Sequence, residues 1–356
     1  MKRKLFFLLA LLLGIPAGAQ IVYHDAAQFP LYGKATDQTL TRYERLPKQL
    51  QDTLRQQLWD LGRNSAGLSI RFRTNSKTIK VKWESLNKFG MGHMTAIGVR
   101  GLDLYGWDEG RWYYAGSAFP YQKETETTLV KDMSGDDREY LLHLSLYDGV
   151  TSLSIGIDSL ATIGAPQMQL PQRERPLVFY GTSILQGGCA NRPGMAHTNI
   201  LSRRLGRECI NLGFSGNARL DVEIAEVIAA VENPGVIILD FLPNVTIEQL
   251  KEKFHTFYNI VRSAHPDVPI LLVENPRFPN GRFNLEISDE YTRENAILQG
   301  FYKQLRKDGD KNVHFFTTEN ILGTDGEATV DGCHFTDLGF MRYADELAPV
   351  LKKLMK

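Results

Sequence analysis

The sequence predicts a two-domain protein, an N-terminal β-sandwich or jelly roll followed by a C-terminal α/β domain with a parallel, flavodoxin-like sheet. Three observations predict it. The chain is 356 residues long, more than one ordinary core needs. Before about residue 170, short runs alternate apolar and polar residues, as in Leu68-Ser69-Ile70-Arg71-Phe72-Arg73, Thr78 to Trp83 and Leu142 to Leu146. After it, short continuous apolar runs (Leu177 to Tyr180, Val236 to Leu239, Pro269 to Val273, Val313 to Phe316) alternate with helical stretches. Period-two alternation belongs to antiparallel strands with one wet face, and unbroken apolar strands belong to a parallel sheet buried on both faces.

The elements follow in order. Lys2, Arg3 and Lys4, the apolar run Leu5 to Leu13 and the triplet Ala17-Gly18-Ala19 read as a signal peptide over residues 1–19, so the mature chain is expected to be exported, to the periplasm or beyond. That run is too short to span a bilayer, and no later segment is long and apolar enough. The β-domain is expected over 20–170 and the α/β domain over 171–356, with Ala165 to Pro176 as linker. Helices are expected over Asp221 to Val231, from near Thr246 with Gln249 at capping-box spacing, after Ser288, and from about Thr336 to the C-terminus.

Composition narrows the function. Lys+Arg and Asp+Glu each number 41, so there is no basic excess for nucleic acid. Three cysteines leave at least one thiol unpaired within an exported chain, and no Cys or His spacing suggests a metal. No cofactor motif is present, and nothing reports on oligomeric state.

Four blocks carry chemistry. Gly181-Thr182-Ser183 ends the first strand of the α/β domain, where open sheets bind ligands; the serine reads as a nucleophile or as a helix cap. Asn211 to Gly216 follows the second strand, and Asp240-Phe241-Leu242-Pro243-Asn244 the third; each supplies a candidate oxyanion donor or an ordinary turn. Asp331-Gly332-Cys333-His334 precedes the last helix. Its spacing lets Asp331 orient His334 while the other ring nitrogen takes a serine proton. His93, His143 and His314 lie in or beside strands and read as packing or surface residues.

Taken in this order, the blocks resemble the SGNH/GDSL hydrolase family over about residues 176–356. The resemblance implies a serine esterase: Ser183 as nucleophile, His334 as base, Asp331 as its orienter, and an oxyanion hole from the Ser183 and Gly213 N–H groups and Asn244. The family's Gly-Asp-Ser is Gly-Thr-Ser here, and its Gly-x-Asn-Asp is Leu242-Pro243-Asn244-Val245, which marks a divergent branch. Gly101-Leu102-Asp103-Leu104-Tyr105 likewise resembles the Gly-x-Asp-Leu-Tyr signature of a carbohydrate-binding-like β-domain that precedes such hydrolases in Bacteroidetes-like bacteria. Of four tryptophans, Trp59 and Trp83 read as core, and Trp107 and Trp112 flank a turn as candidates for stacking on sugar. Cys189 and Cys333 lie on the two loops the triad brings together, which makes a bridge between them a candidate; Cys209 reads as core. The expected activity is hydrolysis of short acyl esters, acetyl foremost, on carbohydrate. A lipid esterase, an acyltransferase and a non-catalytic carbohydrate-binding protein are the alternatives.

Overall fold

A computed structural model describes residues 20–319 and 321–356. The expected signal peptide lies outside the described residues. Ten strands form the first part: β1 (Ile21–Asp25), β2 (Leu31–Tyr32), β3 (Ser69–Thr74), β4 (Ile79–Ser85), β5 (Leu102–Asp108), β6 (Arg111–Ala118), β7 (Glu124–Val130), β8 (Arg138–His143), β9 (Val150–Asp158) and β10 (Ile163–Gly164). They make two antiparallel sheets, β1-β9-β4-β7 and β10-β3-β8-β5-β6, with β2 on the β3 edge. Phe72, Trp83, Leu142 and Ile155 from both sheets share one core. The first sheet keeps its wet face, where Lys80 pairs with Glu126.

The second sheet departs from the expectation of one wet face. Its outward polar residues are buried: Arg71 pairs with Glu139, and Asp103 and His143 are covered as well. The polar half of the alternation there faces other protein, the second domain and the segment leading to it. Glu139 accepts the N–H groups of Gln167 and Met168.

The second part has five parallel strands in the order β12-β11-β13-β14-β15. These are β11 (Gln172–Gly181), β12 (Arg207–Gly213), β13 (Val236–Asp240), β14 (Ile270–Val273) and β15 (Val313–Phe316). The start of β11 falls inside the expected linker. Eight α-helices are described: α1 (Gln56–Gly62) and α2 (Ala96–Arg100) in the first part, then α3 (Ser183–Gln186), α4 (His197–Leu205), α5 (Val222–Ala229), α6 (Ile247–Ala264), α7 (Leu285–Lys307) and α8 (Asp337–Leu354). The expected capping box is present, Thr246 and Gln249 each satisfying the other's backbone N–H at the start of α6. Helix α4 went unpredicted, since its buried face is built partly from His197, Thr198 and Asn199 and gives no apolar stripe. No helix among the described residues is long and apolar enough to cross a membrane.

Helix α1 belongs to the first part in sequence and to the second in packing. Leu58 and Trp59 join the core between the parallel sheet and α5 and α6. Trp83 stays in the sandwich core. The two parts therefore share buried surface, and the site forms where they meet.

Candidate active site

Strand β11 runs out at Gly181, and the chain turns directly into α3. Thr182 caps that helix: its Oγ1 accepts the Ile184 N–H at 3.2 Å. A hydroxyl thus does the capping at a position where the resemblance leads one to expect Asp. Ser183 is the first helical residue and is 7% exposed. Gly188 closes the turn by donating its N–H to the Ser183 carbonyl at 2.7 Å.

The loop before α8 brings the other two groups. Ser183 Oγ lies 2.9 Å from His334 Nε2, and His334 Nδ1 lies 2.7 Å from Asp331 Oδ2. Asp331 also fixes its own loop: Oδ1 accepts the N–H groups of Cys333 at 3.0 Å and His334 at 2.8 Å. Burial pushes this carboxyl up, but the bonds from the His334 ring and from the two backbone N–H groups outweigh it, and it stays below the usual carboxylate range. Neither of the other nearby carboxylates competes for the ring. Asp337 holds the Asn191 N–H and side-chain amide, and Asp325 pairs with Arg342. A serine hydroxyl, an imidazole and a carboxylate in this chain can move a proton from Ser183 and stabilise the resulting imidazolium.

The expected set of oxyanion donors needs one correction. The Gly213 N–H is already spent on Asn211 Oδ1 at 2.9 Å, inside the fold. Asn211 is saturated there, its Nδ2 donating to Leu185 O at 2.7 Å and Thr198 Oγ1 at 3.0 Å. Gly213 is glycine for space, since a Cβ would sit 2.3 Å from the Gln186 nitrogen. Three residues on, Gly216 is exposed, has φ +65°, and donates its N–H to no protein group among the described residues. The glycine of this block that faces the cleft is therefore Gly216, and its positive φ, invisible in sequence, is the signal. Asn244 Oδ1 accepts the Ala218 N–H at 3.3 Å, which leaves Nδ2 free to donate.

Several supporting residues come from the first part of the chain, where sequence reasoning did not look. Tyr147 donates its phenol to the Ser183 carbonyl at 3.1 Å. Arg45 is fully buried, and its guanidinium reaches the carbonyls of Leu61 (2.6 Å), Asn64 (2.8 Å), Asn211 (3.0 Å) and Gly213 (2.8 Å). It thereby ties α1 to the end of β12, just before Gly216. Burial without a carboxylate partner pulls its pKa down to about 9. The Gly-x-Asp-Leu-Tyr segment is a third support. Asp103 and Tyr105 both accept from Arg192, and Asp103 also accepts the Gly194 N–H. A Cβ at Gly194 would lie 2.5 Å from the Tyr105 ring, so only glycine fits there. His93, expected to be a packing or surface residue, is exposed but lies edge-on to His334 with centroids 5.5 Å apart. His93, Cys189 and His334 are the one His/Cys/carboxylate group among the described residues with metal-ligand spacing.

A cleft of about 920 Å³ opens beside the site between the two parts. Gln57, Asp60, Asn64, Asn87, Asn217 and Arg219 supply polar edges, and Phe89 and Met91 supply apolar surface. Tyr147, Ser215 and Gly216 form its end nearest the triad. Trp107 and Trp112 do not line it. They are half-buried against each other on the β5–β6 hairpin, 5.1 Å apart, with Arg71 over Trp112. Both rings stay partly exposed there, outside the residues that line this cleft. The candidate bridge is also absent: Cys189, Cys209 and Cys333 are all free thiols. Cys189 points its sulfur at the two histidines instead, and Cys209 is buried in β12 as expected.

A serine at the end of the first parallel strand, within hydrogen-bond reach of a histidine and through it of an aspartate from the loop before the last helix, is the arrangement of ester hydrolases on an α/β fold. The chain belongs to the GDSL-like lipase/acylhydrolase family, which matches residues 174–352, and residues 21–163 match the GxDLY domain, the N-terminus of SGNH-hydrolase-type esterases. Among solved structures it is similar to a protein described as a GDSL-like lipase from Bacteroides ovatus, with 37% identity, a TM-score of 0.90, and 94% of this chain and 98% of that one covered. The salicylyl-acyltransferase SsfX3 of a tetracycline biosynthetic pathway shares the fold at 18% identity (TM-score 0.71; 93% and 97% covered). So does a family two carbohydrate esterase from Cellvibrio japonicus at 13% identity (TM-score 0.60; 95% and 99% covered). No curated protein matches.

Proposed function

We propose that the protein is an exported serine esterase that removes short acyl groups, acetyl foremost, from carbohydrate. The observation that carries this reading is the unbroken chain from Ser183 Oγ through the His334 ring to Asp331, at 2.9 and 2.7 Å. In the proposed mechanism His334 Nε2 takes the Ser183 proton as Oγ attacks the ester carbonyl. The oxyanion is met by the N–H groups of Ser183 and Gly216 and by Asn244 Nδ2. The imidazolium, held by Asp331, then protonates the leaving alcohol. Water repeats the sequence on the acyl-enzyme.

The polar rim of the cleft, with Phe89 46% exposed among amides and charges, suits a sugar better than a lipid chain. The carbohydrate esterase with the same two-part fold supports the same choice. Hydrolysis of p-nitrophenyl acetate, butyrate and octanoate, followed by acetylated polysaccharides, tests it. Ser183→Ala should abolish turnover, a loss of up to about a millionfold for a triad nucleophile. Turnover within tenfold of wild type would sink the assignment, and a preference for octanoate would favour a lipid ester. The acyltransferase neighbour keeps acyl transfer in view: product that appears on an added sugar alcohol faster than free acid would select it.

A further inference from the structure

We propose that His93, Cys189 and His334 form a zinc site that reversibly shuts the enzyme down. One ligand atom from each residue lies within 4.8 Å of the other two. Tetrahedral zinc with nitrogen and sulfur ligands holds its donors about 3.3–3.6 Å apart, so a closure of about 1 Å completes the site. The residue free to make that movement is His93. It is exposed in the segment between β4 and α2, and its ring makes no hydrogen bond among the described residues.

Cys189 is a second, independent sign of a ligand. It is 3% exposed, and its sulfur has no hydrogen-bond partner among the described residues. Its backbone sits at φ +71°, a region non-glycine residues seldom adopt, so the fold holds the side chain in this direction against a conformational cost. His334 is arranged as metal-binding histidines are: Asp331 takes Nδ1 at 2.7 Å, which fixes the tautomer and leaves the Nε2 lone pair on the Ser183 hydroxyl at 2.9 Å, so zinc has to take the place of that serine proton. Two imidazoles and a thiol suit zinc and do not suit magnesium or calcium, which require oxygen ligands. Water or the Ser183 hydroxyl would fill the fourth position.

The consequence rests on the proposed role of His334 as base. Nε2 cannot hold a metal and receive the Ser183 proton at once, so bound zinc and turnover exclude each other. Binding displaces the thiol proton of Cys189 into solvent. Because the site borrows the nitrogen that serves Ser183, zinc here acts as an inhibitor that a chelator removes. The ligands are contributed by both parts of the chain, and no sequence spacing announces them.

The test uses the full chain and zinc chloride alone. Wild type should bind one zinc per chain by calorimetry, lose p-nitrophenyl acetate turnover in step, and regain it with EDTA; magnesium and calcium should do nothing. His93→Ala and Cys189→Ser should keep metal-free turnover and raise the inhibitory zinc concentration at least about tenfold. Cobalt(II) in place of zinc should give a thiolate-to-metal charge-transfer absorption in wild type that is lost in Cys189→Ser. Ser183→Ala should still bind one zinc, which separates this site from the esterase assignment. Equal zinc sensitivity in wild type and both ligand variants, or no zinc bound to Ser183→Ala, overturns the proposal.

Discussion

Asp103 of the β-domain and Arg192 of the α/β domain meet at 2.6 Å, with the aspartate wholly buried. Arg192 also reaches Tyr105 Oη at 2.5 Å, and Arg203 lies over the Tyr105 ring at 3.9 Å while bonding the Gly194 carbonyl. Asp and Tyr of the Gly-x-Asp-Leu-Tyr segment thus grip the chain that leaves the Ser183 turn, and both are buried there.

Removing Asp103 leaves a half-buried Arg192 guanidinium without its carboxylate, and removing Arg192 leaves a fully buried Asp103 without its cation. Asp103→Ala should destabilise the protein by about 3–5 kcal/mol in urea unfolding. Arg192→Met added to it should cost little more, because both charges are then gone. A coupling of about 1–3 kcal/mol between the two changes is expected. Strictly additive losses would show that the pair does not link the domains.

Asp331 has two jobs, one per carboxylate oxygen. Asp331→Asn keeps the loop bonds available but presents the wrong group to Nδ1, so kcat should fall by up to about ten-thousandfold with unfolding unchanged. Asp331→Ala should lose the loop bonds as well and lower both activity and stability. If Asp331→Asn were silent, another group would have to orient His334, and Asp337 and Asp325 are both committed elsewhere.

The proposed oxyanion donors separate by substitution. Asn244→Ala should reduce kcat by about a hundredfold to a thousandfold with little change in KM, because the anion exists only near the transition state. Gly216→Ala meets open space and keeps its N–H, so it should change kcat by less than Asn244→Ala and cost about 1 kcal/mol for its positive φ. Gly213→Ala should behave oppositely, damaging folding through its contact with α3. An Asn244→Ala enzyme with altered KM alone would make Asn244 a ground-state contact.

Asp240 predicts a pH dependence of stability. Burial pushes its carboxyl up to about 6, although the Tyr343 phenol donates to it at 2.7 Å and pulls it part of the way back. In the unfolded chain it titrates near 3.9. Between about pH 4 and 6 the native state therefore holds a proton that the unfolded state has released, and stability falls as pH rises, by about 3 kcal/mol at most. Asp331, held low, acts in the opposite sense and loses its stabilising effect as pH falls through its folded value. Comparing wild type with Asp240→Asn in urea at about pH 4 and pH 6.5 isolates the first effect. The variant should lose the decline, and an unchanged slope would place its origin elsewhere.

Local pattern determined a good deal of this protein. Unbroken apolar runs identified four strands of the parallel sheet, because a strand covered on both faces has no place for polar residues. Thr246 and Gln249 marked the start of α6 because capping chemistry acts within one turn. Ser183, Asp331 and His334 stand out in the sequence because the order of their blocks resembles the SGNH/GDSL pattern and because open sheets bind ligands at the carboxyl ends of their strands. What lay beyond reach depends on which surfaces meet. The polar faces of β3, β5 and β8 look wet in sequence and are buried against the second domain and the segment leading to it. Arg45 and Tyr147 carry no sequence signal of their own and are buried only because the two parts meet around them. Gly213 and Gly216 are equivalent in the one-letter string, and only the backbone shows that the first N–H is spent on Asn211 while the second faces the cleft. Pattern encodes contacts a few residues apart, whereas these contacts join residues more than a hundred positions distant or turn on a single dihedral angle, and only the packed chain decides them.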